Sequence, residues 1–432
     1  MVGRLTQIIP RNPRRNYHVY TGLATFLCRL SRLSAERIDL NAIFLSHEIR
    51  LKRRRNRSKA TQSARTSQPS SPQPASRSAQ TRLSPLKLWC FRFGAFFLVP
   101  LLVLAAVELG LRLAGYGYPT AFFKPIRIGK DDYLVENDKF GLRFFPPALA
   151  RSPAPVKMKA KKPAGAYRIF ILGESAALGD PRPAYGAGRY LQTLLRERFP
   201  GQQFEVVCVA MTAINSHAIL SIAQECARHA GDLWIVYLGN NEMVGPFGAA
   251  TIFGEQAPPR WIVRLNLRLQ RTRVGQLLAA TVHNLSKPGS RPSWWGGMEM
   301  FTKSRVAPDD RRKEQVYRNF QRNLQDIVRI GLGSGASVVL STVAVNLKDC
   351  PPFASLGRSD LATVDRAAYE KVNVQASAAE SQGNFAEAAT LYEQAARFQP
   401  GFAEVQFRLG YCLLRLTNVV AEIGRASCRE RV

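Results

Sequence analysis

The sequence has no closely paired cysteines and is short of acidic residues. Its seven cysteines are scattered without a Cys-x-x-Cys pair, which argues against a zinc site or a disulfide framework and leaves them as small apolar residues. Asp and Glu number 31 against 61 Lys and Arg, so the formal net charge is +30. The composition is otherwise ordinary for a globular chain, with 46% hydrophobic residues. The length of 432 residues allows two or three domains.

Nearly half of the positive charge lies in residues 1–85, which hold 17 Lys and Arg against 3 Asp and Glu. From Lys52 to about Ser84 the segment is rich in Ser, Pro, Gln and Arg, and its low apolar content predicts disorder. A basic run of this kind can bind nucleic acid, but neither interleaved aromatic residues nor a known binding module accompanies it. We therefore expect no nucleic-acid partner. An alternative is that the gene start is placed too early and the segment is not made.

Residues 88–111 are the candidate membrane span. Residues 93–107 carry no charge, and Arg92 and Glu108 lie near the ends, where long side chains reach the interface. The whole segment is then long enough to cross a bilayer. Because a basic segment precedes it, the positive-inside rule predicts a single-pass anchor in the inner membrane, with a cytoplasmic N-terminus and the rest of the chain outside. A buried core helix is the alternative, but no domain precedes the segment to bury it.

A Pro-rich, basic linker is predicted over 112–164, and strands alternate with helices over 165–360. Continuous apolar strands that alternate with amphipathic helices indicate a parallel sheet covered on both faces. The expected fold class is therefore α/β, a three-layer parallel sheet preceded by one transmembrane helix. The predicted strands are 167–172, 204–209, 233–238 and 336–343, and the predicted helices lie near 188–199, 216–230 and 314–330.

Two of these strands run into segments with functional side chains. The strand 167–172 leads to Gly173-Glu174-Ser175, and the strand 233–238 leads to Gly239-Asn240-Asn241-Glu242. They resemble the first block, Gly-Asp-Ser, and the third block, Gly-x-Asn-Asp, of the SGNH (GDSL-type) hydrolases, with Glu for Asp in both. The second block is matched by residues 207–213, with Ala210 at the position of the family's glycine. The resemblance covers about residues 165–355 and implies the flavodoxin-like fold of that family.

By this resemblance, Ser175 is the nucleophile that attacks an ester carbonyl. The side chain of Asn241 and the backbone N–H groups of Ser175 and Ala210 then hold the oxyanion. A helix N-cap serine and a turn asparagine are the plainer alternatives. Glu242 is expected to orient its loop, and His217 is by default a packing or helix-start residue. The candidates for contact with substrate, or for shaping its pocket, are Glu174, His217, Glu242 and Asn346.

The catalytic base is the missing part of the resemblance. The family takes its base from an Asp-x-x-His block near the C-terminus, and none of the five histidines of this chain stands in such a block. Only His217 follows the second block closely enough to approach the site. Residues 422–432 resemble the translation of a common sequencing adapter, an ordinary basic tail being the alternative. We therefore expect the natural protein to continue past Ala421 and to carry its base there.

Residues 361–421 resemble tetratricopeptide repeats. Within 369–402, four residues occupy the small, aromatic, small and proline positions of that repeat: Ala388, Tyr392, Ala395 and Pro400. One period later, Leu409 and Gly410 stand at the Leu-Gly positions of the next unit. Such repeats bury their faces against neighbouring units, so a further unit is expected, and they imply protein partners. A plain amphipathic helical hairpin is the alternative.

An insertion from Gly245 to Asp310 lies between the third and fourth strands. Its segment 261–269 predicts a basic amphipathic helix, which would lie on anionic lipid headgroups or, with at least equal weight, cover the active site. Trp294 and Trp295 follow in a Ser/Gly-rich loop, where they would stack on a sugar or lipid or form an exposed structural loop.

Together these features predict a membrane-anchored serine ester hydrolase or O-acyltransferase that acts outside the cytoplasmic membrane through an acyl-enzyme on Ser175. Acyl esters, on polysaccharide or lipid, are the expected substrates, and no metal or organic cofactor is implied. The alternative, from another class, is a non-catalytic envelope scaffold with a degenerate SGNH domain and repeats that recruit partners.

Overall fold

The computed structural model of the chain describes residues 85–285, 294–307, 309–346, 348–352, 355–357 and 361–416. Residues 1–84, which include the basic segment that is predicted to be disordered, lie outside the described residues. The adapter-like segment 422–432 lies outside them as well.

The first described element is the helix α1 (Pro85–Leu113). Its part from Phe91 to Leu113 contains an 18-residue stretch that has a mean hydropathy of 2.2 and is not buried in protein, and the part is long and apolar enough to cross a membrane. The predicted apolar helix is thereby confirmed, while its orientation stays a prediction. Val107 ends one compact unit of the chain and Glu108 begins another.

The predicted linker over 112–164 contains an antiparallel sheet. Its strands β1 (Phe123–Ile128), β2 (Asp131–Glu136) and β3 (Lys157–Lys159) pair in that order. Most side chains of β1 are exposed, so its sequence lacks the apolar alternation that predicts a strand. The sheet is instead stabilised by tertiary contacts, among them an edge-to-face pair of the buried rings of Phe122 and Phe140, 5.2 Å apart.

Four parallel strands form the central sheet: β4 (Tyr167–Gly173), β5 (Phe204–Cys208), β6 (Leu233–Tyr237) and β7 (Ser337–Ser341). Their order is β5-β4-β6-β7, so β4 lies between β5 and β6. The predicted parallel sheet is confirmed, and each predicted strand matches to within two residues at its ends. Long apolar runs are readable because both faces of such strands are buried.

Helices connect the strands and cover both faces of the sheet. Between β4 and β7 these are α2 (Ser175–Leu178), α3 (Ala187–Arg198), α4 (Ser216–Cys226), α5 (Arg260–Leu269), α6 (Arg273–Leu285) and α7 (Arg312–Gly333). α3 approaches one face so closely that a Cβ on Gly188 would lie 3.1 Å from Ile171. α7 approaches the other face, where a Cβ on Gly331 would lie 2.8 Å from Trp234. α4 packs beside α7.

Three helices follow late in the chain: α8 (Thr363–Ser381), α9 (Phe385–Phe398) and α10 (Ala403–Arg415). They share a core of small residues around two buried tyrosine rings, and its members include Tyr369, Ala376, Ala388, Tyr392, Ala395 and Leu409. The prediction of helices over 361–421 is confirmed for the part that is described, up to position 416. Their assignment to a repeat family stays a prediction.

Candidate active site

Three predicted functional residues follow three neighbouring strands. Ser175 comes two residues after β4, Ala210 two residues after β5, and Asn241 four residues after β6. The strands are parallel and β4 pairs with both others, so all three residues lie at the carboxyl edge of the sheet. This edge is where ligand sites of open parallel sheets form.

Two glycines at this edge are required by the local geometry. A Cβ on Gly173 would lie 2.2 Å from the carbonyl oxygen of Tyr237 and 2.4 Å from the Cβ of Ala177, so only glycine lets β4 turn so close to β6. Gly239 has a φ of 132°, which side-chain-bearing residues rarely adopt. Both glycines of the two sequence segments therefore have a structural reason.

Glu174 ties the serine segment to the asparagine segment. Its buried carboxylate accepts hydrogen bonds from the backbone N–H of Gly239 at 3.3 Å and of Asn241 at 2.9 Å. Burial raises the pKa of Glu174 to about 8, the nearby charge of Glu242 adds to the rise, and the backbone N–H groups oppose it. Glu174 thus acts through the backbone: it fixes Asn241 relative to the residue next to Ser175. This buried position does not fit the predicted contact with substrate.

Asn241 is half-buried and has one amide hydrogen in use. Its Nδ2 donates to the carbonyl oxygen of Ile214 at 3.0 Å. An amide nitrogen carries two hydrogens, and no acceptor among the described residues takes the second. The side chain is therefore held at the edge of the sheet with one free donor.

Ser175 is half-buried and is the first residue of the short helix α2. Within the described residues its hydroxyl group has no hydrogen-bond partner, and no histidine contacts it. Its backbone carbonyl accepts from Gly179 at 2.9 Å. The serine is thus positioned by its backbone, with its hydroxyl group unengaged.

Ala210 is buried, and it is not among the described residues with a positive φ. Alanine therefore replaces glycine there without strain, and the left-handed residue of the segment is Ala213, with a φ of 65°. Burial raises the pKa of the nearby Cys208 thiol, and the backbone N–H of Ala210 opposes that rise.

Glu242 holds the start of α4. Its carboxylate accepts from the backbone N–H of Ser216 at 2.7 Å and from the Ser216 hydroxyl at 2.9 Å. Burial raises the pKa of Glu242 to about 7, although both hydrogen bonds from Ser216 lower it. Since Glu242 is adjacent to Asn241, this contact fixes the asparagine segment from a second direction. The expected orienting role fits this geometry.

His217 lies in the first turn of α4 and is buried. Its Nδ1 lies 3.1 Å from the Nδ2 of Asn323, and because that amide nitrogen can only donate, Nδ1 accepts and the ring proton is on Nε2. Burial, together with the charges of Arg260 and Arg264, lowers the pKa of His217 to about 3. The ring is neutral and engaged, as a packing residue would be.

Asn323 on α7 is a functional neighbour that the sequence analysis missed. Its Nδ2 also donates to the Ser216 hydroxyl at 3.0 Å, and its Oδ1 accepts from Nε of Arg260 at 2.7 Å. Arg260 in turn pairs with Asp326. A chain of contacts therefore runs from α5 through Asn323 and Ser216 to Glu242. The sequence signal that could have identified Asn323 is its polar side chain on the buried face of the predicted helix.

Asn346 lies apart from these residues. It follows β7, which β6 separates from β4, and it is exposed. Its Oδ1 accepts from the backbone N–H of Asp349 at 2.9 Å, which closes a local turn. Its predicted role in the pocket gains no support from this position. Among the described residues, no group of three His, Cys, Asp or Glu side chains is placed to hold a metal ion.

No protein-family model and no curated protein matches this chain, so its function is inferred from its own residues.

Proposed function

We propose that the chain is a membrane-anchored serine ester hydrolase or O-acyltransferase of the SGNH type, with Ser175 as its nucleophile. The observation that supports this most is the pair of hydrogen bonds from the Gly239 and Asn241 N–H groups to Glu174. They hold a free amide donor of Asn241 beside the segment that carries an unengaged serine hydroxyl. A nucleophile and an oxyanion donor fixed on one sheet edge are the minimum that acyl transfer needs.

In the proposed reaction, Oγ of Ser175 attacks the ester carbonyl carbon, and the carbonyl oxygen becomes an oxyanion. Nδ2 of Asn241 and the N–H groups of Ser175 and Ala210 donate to that oxyanion. The ester C–O bond then breaks, the alcohol leaves with a proton, and an acyl-enzyme remains. Water or a carbohydrate hydroxyl resolves it. Acyl groups on polysaccharide or lipid are the proposed substrates because the anchor would keep the domain at a membrane surface.

The proton of Ser175 needs an acceptor that the described residues do not supply. His217 is neutral, and its Nδ1 is occupied by Asn323. The Asp-x-x-His block of the resembling family is the group that would take this proton. Since no described residue takes this role, we expect acylation of Ser175 by the described residues alone to be slow.

The lack of a base beside Ser175 among the described residues favours a second candidate function. The chain would then be a non-catalytic scaffold, in which α8–α10 act as tetratricopeptide repeats that bind protein partners. The two candidates differ in whether Ser175 forms a covalent acyl adduct.

The test is acylation of the full chain in detergent with an activated acetyl ester, followed by mass analysis of the peptide that contains Ser175. We expect an acetyl adduct on Ser175 that is absent in Ser175→Ala and unchanged in Ser381→Ala, an exposed serine on α8. If wild type and Ser175→Ala show the same labelling, the enzyme proposal is wrong and the scaffold is favoured. Turnover at an ordinary enzymatic rate would show instead that a base is already present.

A further inference from the structure

The helices α5 and α6 expose a large amount of apolar side chain. On α5, the side chains of Trp261, Leu265 and Leu269 are 66%, 47% and 51% exposed. Their spacing of four residues places them on one face. Monomeric soluble proteins rarely expose such a continuous stripe without a partner.

The opposite face of α5 is already used. Val263 and Leu267 are buried in the core, and Arg260 and Arg264 both pair with Asp326 on α7. The exposed stripe is therefore fixed in its outward direction by the packing of the helix. A helix held this way does not turn its apolar stripe inward.

On α6, every residue from Leu277 to Leu285 is exposed. Leu278, Val282 and Leu285, which are 59%, 64% and 79% exposed, recur at the spacing of one helix face. α6 thus exposes a second apolar stripe, on the helix that begins four residues after α5 ends.

The charge of this region is of one sign. Residues 256–298 contain no Asp or Glu but seven Lys and Arg. Arg268 lies on the exposed side of α5, and within the described residues it forms no ion pair. An apolar stripe with tryptophan and flanking arginines fits the headgroup region of a membrane with anionic lipids.

The start of α6 is fastened to the end of the candidate span. Glu108 is the first charged residue after the uncharged run 93–107, and its carboxylate accepts from the backbone N–H of Arg273 and of Val274, each at 2.9 Å. The amide of Gln276 exchanges two hydrogen bonds with the backbone of Tyr118, at 2.9 and 3.0 Å. Where α1 leaves the bilayer, the chain therefore holds the first turn of α6.

We propose that α5 and α6 form a membrane-contact surface that lies in the interface of an anionic phospholipid bilayer, next to the exit of α1. The exposed stripe contacts lipid. It does not serve as a lid over the active site. This inference rests on the proposed role of α1 as a membrane anchor, but not on the chemistry of Ser175. It gives the domain a second attachment and hence a fixed orientation toward the membrane.

The test uses the full chain in vesicles of equimolar phosphatidylcholine and phosphatidylglycerol, with a photo-crosslinking amino acid placed at one position at a time. The test position is Leu278. Leu104 in α1 reports on the anchor itself, and Tyr190, an exposed aromatic residue of α3, is the matched control at 57% exposure.

Illumination and mass analysis measure the fraction of chain linked to phospholipid. We expect the yield at 278 to approach that at 104 and to exceed that at 190 by about tenfold, because an interfacial helix buries its apolar face among the lipids.

The outcomes separate the two proposals. Lipid crosslinks at 104 with only background at 278 overturn the contact surface and leave the anchor standing. Background at both positions overturns both. Crosslinks at 278 alone would remove the anchor and, with it, the proposed position of the surface beside the exit of α1. Links from 278 to the protein itself, without lipid, would show that α6 covers another part of the chain and would overturn the inference.

A second arm tests the contribution of charge. Replacing Arg268 and Arg271 by Gln lowers the yield at 278 about fivefold or more in vesicles with phosphatidylglycerol, and little in phosphatidylcholine alone. Arg189→Gln, an exposed arginine of α3, leaves both yields unchanged. An equal loss in both vesicle types would contradict the preference for anionic lipid.

Discussion

The side-chain amide of Asn241 is a proposed donor to the oxyanion. It is held by a single hydrogen bond to Ile214 and by the backbone contact to Glu174. Removing the amide removes a donor to the oxyanion and the bond to Ile214, while the backbone contact to Glu174 remains. We expect Asn241→Ala to slow acylation of Ser175 about 10²- to 10³-fold, as loss of one such donor does elsewhere.

The measurement is the rate of acyl-adduct formation on Ser175 with an activated ester. Asn346→Ala is the matched control, because that asparagine only closes a turn of its own. If Asn241→Ala acylates at the wild-type rate and is folded, Asn241 is a turn residue and the oxyanion assignment is wrong.

The buried carboxylate of Glu242 makes stability depend on pH. Its pKa is raised from an ordinary 4.5 to about 7 in the folded chain, so the native state holds its proton more tightly than the unfolded state. Stability from this group is complete below about pH 4.5 and is lost as the pH rises through about 7.

We expect urea midpoints of the wild type to fall over that range, and those of Glu242→Gln to fall less. The glutamine retains an acceptor for the Ser216 N–H. Parallel curves for the two proteins would show that the carboxylate is not the titrating group.

Individual residues show where sequence reasoning succeeds and where it stops. The two glycines, the serine and the asparagine stand out because special backbone geometry and functional side chains need those residue types. The contacts of Glu174 and of Asn323 cannot be predicted from the sequence, since they join residues 63 and more positions apart. In the sequence, Glu174 departs from the aspartate of the Gly-Asp-Ser block. In the structure, its carboxylate accepts hydrogen bonds from the backbone of the segment that contains Asn241.

At the scale of elements, the strands of the parallel sheet are predictable and the antiparallel sheet is not. β4 and β6 are mostly buried, and their sequences are largely apolar. β1 is almost entirely exposed after its first residues and reads as a basic linker. Its position depends on distant residues, such as Glu225, which accepts from the backbone N–H of Phe122 at 2.8 Å. No local pattern carries that information.

The late helices depend on small residues at their contacts. Ala388 on α9 is fully buried in the core that it shares with α8 and α10, so a larger side chain has no room. We expect Ala388→Leu to destabilise these helices by about 1–3 kcal/mol through overpacking. Ala386→Leu, an exposed position two residues earlier, is the matched control and should change stability little.

Hydrogen exchange of α8 to α10 in the two variants measures this effect locally. Faster exchange in Ala388→Leu alone supports a tightly packed helical array, which a repeat requires. Equal exchange in both variants would indicate a loose hairpin in which the small residues are incidental.

For the whole molecule, the positive-inside rule predicts which side of the membrane holds the proposed active site. A strongly basic segment, with 17 Lys and Arg against 3 Asp and Glu over residues 1–85, precedes the uncharged run of α1. Residues after Leu113 should therefore lie outside the cytoplasm. We expect a protease added to intact spheroplasts to cleave the region after α1, while an epitope at residue 1 stays protected until detergent is added. Trypsin suits this test because exposed basic residues away from the α5–α6 surface, such as Lys130 in the turn between β1 and β2 and Arg196 on α3, are sites for it. Cleavage confined to inverted vesicles would place the domain in the cytoplasm, and polysaccharide or lipid esters outside the membrane would then be out of its reach. The anchor and the α5–α6 surface would survive that result, since neither depends on the direction in which α1 crosses.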